Sequence, residues 1–402
     1  MTILVADALP AAALEVLQSS GHTVQNQPSL SAAEVPQALR DGGAEILIVR
    51  STRVTAEAIQ AASQLVLVIR AGAGVNTIDL ETANRHGVFV TNCPGRNAAA
   101  VAELTIGLIV AVDRRITDAT SDFNNGIWNK GLYSKADGLA GKTLGILGFG
   151  GIGREVARRA LGFDMRVTVW SRSLTEEAAR QAGVQFCHEP DEVIRSSDIL
   201  SLHTALTGET RGLIDRRRIQ LMREGAILIN TARAELVDEQ ALVEALQAKR
   251  VRAGVDVFQD EPEGKDGTVS SALQSCPGVV VTHHIGASTE QAQLSVAMEA
   301  IRIIGEFSRS GRIENWVNRS PVPPARCRLV VRHQDRPGVL ANVLGELRDA
   351  GINAEEMENV IFAGNHTACC TIQLSEVPAR SVLEAIRGRQ EEVLGIRVVT
   401  LE

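Results

Sequence analysis

Three charged residues stand just past three predicted strands: Arg233 in NTARAELVDE, Glu261 in DVFQDEP and His284 in THHIGAST. Hydride chemistry on a 2-hydroxy acid needs these residue types. Histidine ordinarily titrates near neutrality, so it can take a hydroxyl proton and give it back. A carboxylate beside such a ring orients it and favours the imidazolium. Arginine's planar fork grips a substrate carboxylate better than an ammonium does. Singly, each has an ordinary structural explanation. Together, at the ends of neighbouring strands, they form a candidate site.

A second constellation supplies the hydride partner. Thr143 to Trp170 reads as strand, glycine loop, helix and strand, with GFGGIG placing Gly148, Gly150 and Gly153 in a GxGxxG pattern. The first glycine makes the tight turn, the second lets backbone approach a pyrophosphate, and the third packs helix against strand. The helix opening near Gly151 aims its free N–H groups and positive dipole end at that phosphate. Dinucleotide binding follows from the loop's position between a buried strand and a helix.

Around these stretches the chain alternates strands and helices. ILVAD, EILIVR and LVLVIRAGAG predict a parallel α/β sheet over residues 1–97, with Arg50, Ser51 and Arg70 at strand ends beside small residues. A positive strand end beside glycines suits an anionic substrate. The apolar run Ala98–Val112 is interrupted by Glu103 and falls short of the ~20 residues that a membrane span requires. It predicts a buried helix. DILSLHTAL, AILINTAR, RAGVDVF and VVVTHH continue a doubly wound sheet to about residue 283. Ser288 and Gln291 have capping-box spacing at the head of a long helix that returns the chain to the first domain.

Prolines in NRSPVPPAR mark a linker over 318–325, and residues 326–402 follow the order β-α-β-β-α-β of a ferredoxin-like module. The expected domains are therefore 1–97 with 287–317 for substrate, 98–286 for the dinucleotide, and 326–402 for regulation or assembly. The chain has 402 residues, 45% hydrophobic, with a net charge of −7 and six cysteines without metal spacing. This composition suits a reduced, cytoplasmic α/β protein and argues against nucleic acid as a partner. No signal peptide or membrane span is expected.

The chain resembles the D-isomer-specific 2-hydroxyacid dehydrogenases, most of all their ACT-bearing, phosphoglycerate-oxidising branch. LIVRSTRVTAEAI, VIRAGAGVNTIDL, TLGILGFGGIGREVA, NTARAELVDEQAL, GVDVFQDEP and HIGAST carry the likeness nearly end to end. It implies two Rossmann-like domains plus an ACT domain, with oxidation of D-3-phosphoglycerate at the head of serine biosynthesis. A glyoxylate or hydroxypyruvate reductase, or a dinucleotide-sensing co-regulator on the same fold, are the alternatives. It implies Arg233, Glu261 and His284 as the catalytic trio. Cofactor contacts would come from Gly148, Gly150, Gly151, Ile152, Gly153, Ser171, Arg172, Thr204, Thr231, Ala232, Asp256, Gly286 and Ala287. Substrate contacts would come from Arg50, Ser51, Arg70, Ala73, Gly74 and Asn97. His333, Asp335 and Asn353 match a serine-sensing pattern, which implies a homodimer or homotetramer with L-serine as effector.

The chain departs from the family in four places. His283-His284 replaces the usual Pro-His, Asp335 replaces an Asn, and Gly151 replaces a basic or polar residue. Ser171, followed by Arg172, stands where the family has its NAD-reading aspartate. The family expectation is NAD; the local chemistry would also tolerate the 2′-phosphate of NADP.

Overall fold

The computed structural model describes residues 1–262, 267–320, 324–388 and 391–401. Within the expected linker, residues 321–323 lie outside this set; so do residues 389, 390 and 402 of the C-terminal module. The chain forms two units, Met1–Asn318 and Arg319–Glu402.

The first unit holds two parallel sheets. Strands β1 (Thr2–Val5), β2 (Thr23–Asn26), β3 (Ile46–Val49), β4 (Leu67–Arg70) and β5 (Phe89–Asn92) form the order β2-β1-β3-β4-β5. The second sheet contains β6 (Thr143–Leu147), β7 (Arg166–Trp170), β8 (Gln185–Phe186), β9 (Ile199–Leu202), β10 (Ala226–Asn230), β11 (Val251–Val255) and β12 (Val279–Val281). Its order is β12-β11-β10-β9-β6-β7-β8, so the chain runs outward in opposite directions from β6. A crevice opens at such a switch point, and ligands bind there. Central strands are buried along their whole length because helices cover both faces. The weakly apolar β2, β5 and β8 are edge strands.

Register brings the chemistry-bearing residues to one edge. Leu147 pairs with Trp170 and Leu202, Asn230 with Leu202 and Val255, and Val255 with Val281. The residues just beyond these, Gly148, Ser171, His203, Thr231, Asp256 and Thr282, therefore share the carboxyl edge. In the first sheet Val49 pairs with Arg70, which sets the Arg50 and Arg70 turns side by side.

The Ala98–Arg114 helix packs Ile106, Ile109 and Val112 into the core of the second sheet, while Glu103 stays exposed and pairs with Arg159 at 3.1 Å. The Glu290–Ser310 helix returns to the first sheet, burying Val296, Ala300, Ile303 and Ile304 against Ile3, Val5, Ile46 and Ile48. Its cap is Thr289, whose hydroxyl accepts from Ala292 N at 3.1 Å, and not the expected Ser288. Ser288 is used one step earlier, its N–H closing a turn onto Ile285 O at 2.8 Å.

The second unit is one antiparallel sheet of β13 (Cys327–Gln334), β14 (Ala354–Ile361), β15 (Thr367–Leu374) and β16 (Val393–Thr400) in the order β14-β15-β13-β16. Residues of the Val339–Asp349 and Arg380–Arg387 helices pack with the sheet in a single core. All six cysteines are free, and no described helix is long and apolar enough to cross a membrane.

The two sheets of the first unit are pinned where the chain crosses between them. Arg96, just before the first crossing helix, pairs with Glu299 of the returning helix at 2.7 Å, and Arg302 pairs with the same carboxylate at 2.7 Å. Glu299 is almost fully buried. The Arg302 guanidinium, with Arg96 and against the cost of burial, lowers its pKa from 4.5 to about 2. A depressed carboxylate stabilises the fold above its unfolded pKa and loses that contribution as pH falls toward the folded value. Glu299→Gln should therefore destabilise the protein by about 2 kcal/mol at pH 7. Urea denaturation should show the gap to the parent closing between about pH 5 and pH 2.

Candidate active site

Gly148 leaves β6 with φ of 97°, a conformation that an L side chain rarely adopts. A Cβ there would collide with the His203 carbonyl, and one on Gly153 with the Gly148 carbonyl oxygen. Gly150 differs: nothing lies within 4 Å of the position its Cβ would take. It caps the Gly151–Leu161 helix without a side-chain hydrogen bond, leaving the first-turn N–H groups without a side-chain cap beside open space. A Cβ on Gly151 would lie 3.7 Å from Ala98 Cβ of the crossing helix, and Ile152 packs against the core. Beside the loop, the Thr204 hydroxyl and His203 Nδ1 are buried without a protein partner. His203 Nε2 lies 2.8 Å from Ser201 Oγ, and burial lowers the ring's pKa to about 3, so it is neutral at physiological pH. An open helix terminus, a side-chain-free approach and unsatisfied polar atoms fit a dinucleotide.

At the adenosine side Arg172 Nη1 donates to Glu209 Oε2 at 3.0 Å, and Ser171 precedes it without a carboxylate. Thr231 is buried, its hydroxyl 3.0 Å from that of Thr105 in the crossing helix. Asn230 shapes the following turn. Its Oδ1 accepts from Ala232 N at 3.1 Å and its Nδ2 donates to Arg233 O at 2.8 Å. Sequence reading passed over Asn230, although an Asn at a strand end is a turn signal.

The turn aims Arg233 at the first sheet. A Cβ on Gly74 would strike the Arg233 guanidinium, and one on Gly72 would strike that of Arg70. Arg70 Nε is buried without a partner. Burial first, then the neighbouring Arg233 and Arg50 charges, lowers the Arg70 pKa from 12.5 to about 10, which leaves it a cation. The Arg70 and Arg233 guanidinium groups thus lie against the Gly72–Gly74 loop, with Arg50 near enough for its charge to act on Arg70. Asp7, also passed over, organises the Arg50 turn by accepting from the N–H groups of Arg50 (2.6 Å), Ser51 and Thr52 (3.0 Å each). Those bonds outweigh burial and lower its pKa. The Ser51 hydroxyl is also committed to Asp7, at 3.0 Å. Ala73 O accepts from Asn92 Nδ2 at 2.6 Å, and buried Asn97 keeps an unpartnered Oδ1.

His284 has φ of 53° and lies 2.7 Å through Nδ1 from Glu261 Oε2. Glu261 Oε1 in turn accepts from Phe258 N at 3.1 Å. With Nδ1–H donated to the carboxylate, Nε2 is the nitrogen left for chemistry. His283 is exposed. Asp256 ties down the His284 loop. Its buried carboxylate accepts from Thr282 Oγ1 (2.5 Å), Ile285 N (2.9 Å) and Gly286 N (2.8 Å), and its carbonyl from His284 N (2.9 Å). Asp256 thereby shapes the His284 loop; Gly286 shares the same contact, with Ala287 half-buried after it.

The expected effector residues do not adjoin within one module. Ala354 pairs with Leu374, which pairs with Cys327 at the start of β13, whereas Asp335 follows its end. Asn353 and Asp335 therefore lie at opposite ends of a sheet eight residues long, roughly 25 Å apart. His333 is buried, with Nδ1 2.7 Å from Gln334 O and Nε2 3.2 Å from Asn359 Oδ1. Asp335 does not cap the helix that follows; Gly338 occupies that position without a side-chain bond.

Residues 106–286 match the family described as D-isomer specific 2-hydroxyacid dehydrogenase, NAD binding domain. D-3-phosphoglycerate dehydrogenase of Methanocaldococcus jannaschii is 36% identical over 364 residues, 90% of this chain and 67% of that protein. Hydroxypyruvate reductase of Thermotoga maritima is 42% identical over 262 residues, 65% of this chain and 83% of that protein. The crystal structure of NAD+-bound 3-phosphoglycerate dehydrogenase from Entamoeba histolytica matches with a TM-score of 0.67 at 28% identity, over 79% of this chain and 99% of that one. The chain belongs to the D-isomer specific 2-hydroxyacid dehydrogenases, a family of NAD-binding enzymes, and its cofactor is NAD. It spans about half to two thirds of the length of the curated phosphoglycerate dehydrogenases it matches.

His284→Ala should lower kcat by ~10²–10⁴, the usual worth of a general acid–base, while NADH affinity measured by fluorescence titration stays near the parent's. His283→Ala should be close to parental in both. The reverse pattern would move the base to His283.

Proposed function

We propose that the protein oxidises D-3-phosphoglycerate at C2 to 3-phosphohydroxypyruvate, the entry step of L-serine biosynthesis, in the cytoplasm. The observation that carries this reading is the meeting of Arg70 and Arg233 on one glycine loop, with the Arg50 charge acting on Arg70 and with Arg70 Nε unsatisfied. A simple 2-hydroxy acid offers one carboxylate; this concentration of cations matches a substrate that carries a phosphate as well.

NAD, when bound, supplies the acceptor for the hydride from C2. His284 Nε2 takes the hydroxyl proton as the C2 carbonyl forms, and returns it in the reverse direction. Glu261 holds the ring through Nδ1 and offsets the positive charge the ring acquires. Arg233, with backbone N–H groups near Gly74, clamps the carboxylate, and Arg50 with Arg70 receives the phosphate. Closure of the two sheets around the Arg96–Glu299 crossing would exclude water. A second reading, reduction of hydroxypyruvate, is supported by the Thermotoga relative.

Steady-state assays with phosphorylated and unphosphorylated substrates separate the two. Arg70→Gln should cut kcat/KM for D-3-phosphoglycerate by ~10–100-fold, the worth of a charge-assisted hydrogen bond, and that for D-glycerate far less. Equal loss on both substrates, or a parent enzyme that prefers D-glycerate, would favour the second reading.

For the C-terminal unit we propose an ACT-type module that takes L-serine as an inhibitor. Since Asp335 and Asn353 lie at opposite ends of one sheet, a site built from both requires two copies, and hence at least a homodimer. L-serine should inhibit the parent, and Asp335→Ala should lose that response while keeping uninhibited activity. A parent insensitive to L-serine would leave the module as an assembly device.

A further inference from the structure

The carboxyl end of the second strand is where a dinucleotide fold reads the adenosine ribose, ordinarily with an acidic side chain on the 2′-hydroxyl. Here β7 ends at Trp170 and is followed by Ser171, Arg172 and Ser173. Left to itself, Arg172 is a receptor for a 2′-phosphate, at odds with NAD as the cofactor. Glu209 resolves the conflict. Its Oε2 accepts from Arg172 Nη1 at 3.0 Å, and it comes from the loop after β9. Strands β7 and β9 flank β6, so the pair joins the two sides of the glycine loop.

The segment presenting Glu209 is a built turn. Thr210 Oγ1 donates to Ala205 O at 2.7 Å and accepts from Thr207 N at 2.8 Å, and Arg211 N donates to Thr207 O at 3.0 Å. Both members of the ion pair are 78% exposed, so it holds no core together and its guanidinium can change partners.

We propose that Glu209 sets NAD over NADP in this chain. It neutralises the Arg172 cation that would otherwise receive a 2′-phosphate, while an uncharged 2′-hydroxyl does not depend on that cation. Discrimination thus comes from a partner reaching over from β9 and not from a carboxylate on β7 itself. The inference rests on dinucleotide binding at the glycine loop.

Isothermal titration calorimetry with NADH and with NADPH tests it on the full chain and on Glu209→Gln, Arg172→Ala and the double variant, each checked for an unchanged melting temperature. The parent should bind NADH more tightly than NADPH. Glu209→Gln should tighten NADPH about tenfold or more and leave NADH within about threefold. The double variant should lose that gain, since it is Arg172 that receives the phosphate. An unchanged ratio of the two dissociation constants in Glu209→Gln, or a gain that survives loss of Arg172, would overturn the proposal. A parent that binds neither nucleotide would overturn the dinucleotide reading with it.

Discussion

The site depends on one buried carboxylate. Asp256 gathers the Thr282 hydroxyl and the N–H groups of Ile285 and Gly286, and its own carbonyl takes the N–H of His284. Hydrogen bonds to a charged acceptor are each worth ~1.5–3 kcal/mol, and a buried carboxylate left without them would be costly. The loop therefore closes around Asp256, and the closure holds His284 in a left-handed conformation that a histidine seldom takes. In that conformation the ring meets Glu261. The His284–Glu261 pair is thus a consequence of how a neighbouring acid is satisfied.

Similar reasoning accounts for the positive charge. The chain is acidic overall, yet Arg70 and Arg233 face one loop and the Arg50 charge acts on Arg70. The burial of Arg70 and the like charges beside it act against folding, and the structure tolerates them through local devices. Gly72 and Gly74 give up the side-chain space that two guanidinium groups occupy, Asp7 fixes the Arg50 turn, and Asn230 fixes the Arg233 turn. Net charge says nothing about such a site, because the field inside a cleft is set by what lines it. The same separation of local from overall charge operates at the adenosine end, where Glu209 answers Arg172.

Much was legible in the sequence for a definite reason. A glycine forced by positive φ or close approach cannot be replaced by context, so Gly148 and Gly153 announced a loop, and the buried strands around them announced a parallel sheet. Edge strands β2, β5 and β8 were silent because half-exposed strands need no apolar run. Arg233, Glu261 and His284 were visible as types, because a chemically apt side chain just past a strand end lies on the edge where α/β sheets bind ligands.

Tertiary structure decided the partners. That Asp256 turns inward to its own loop, that Thr231 bonds Thr105, that Thr289 and not Ser288 caps the long helix, and that Asp7 and Asn230 set the arginine turns all depend on distances set by packing. Register alone separates Asp335 from Asn353, since antiparallel pairing carries the first to one end of the sheet and the second to the other. Local sequence determines backbone freedom and residue chemistry. Which side chain satisfies which is settled only when strands far apart in the chain are laid side by side, because a hydrogen bond is made or lost within a fraction of an ångström.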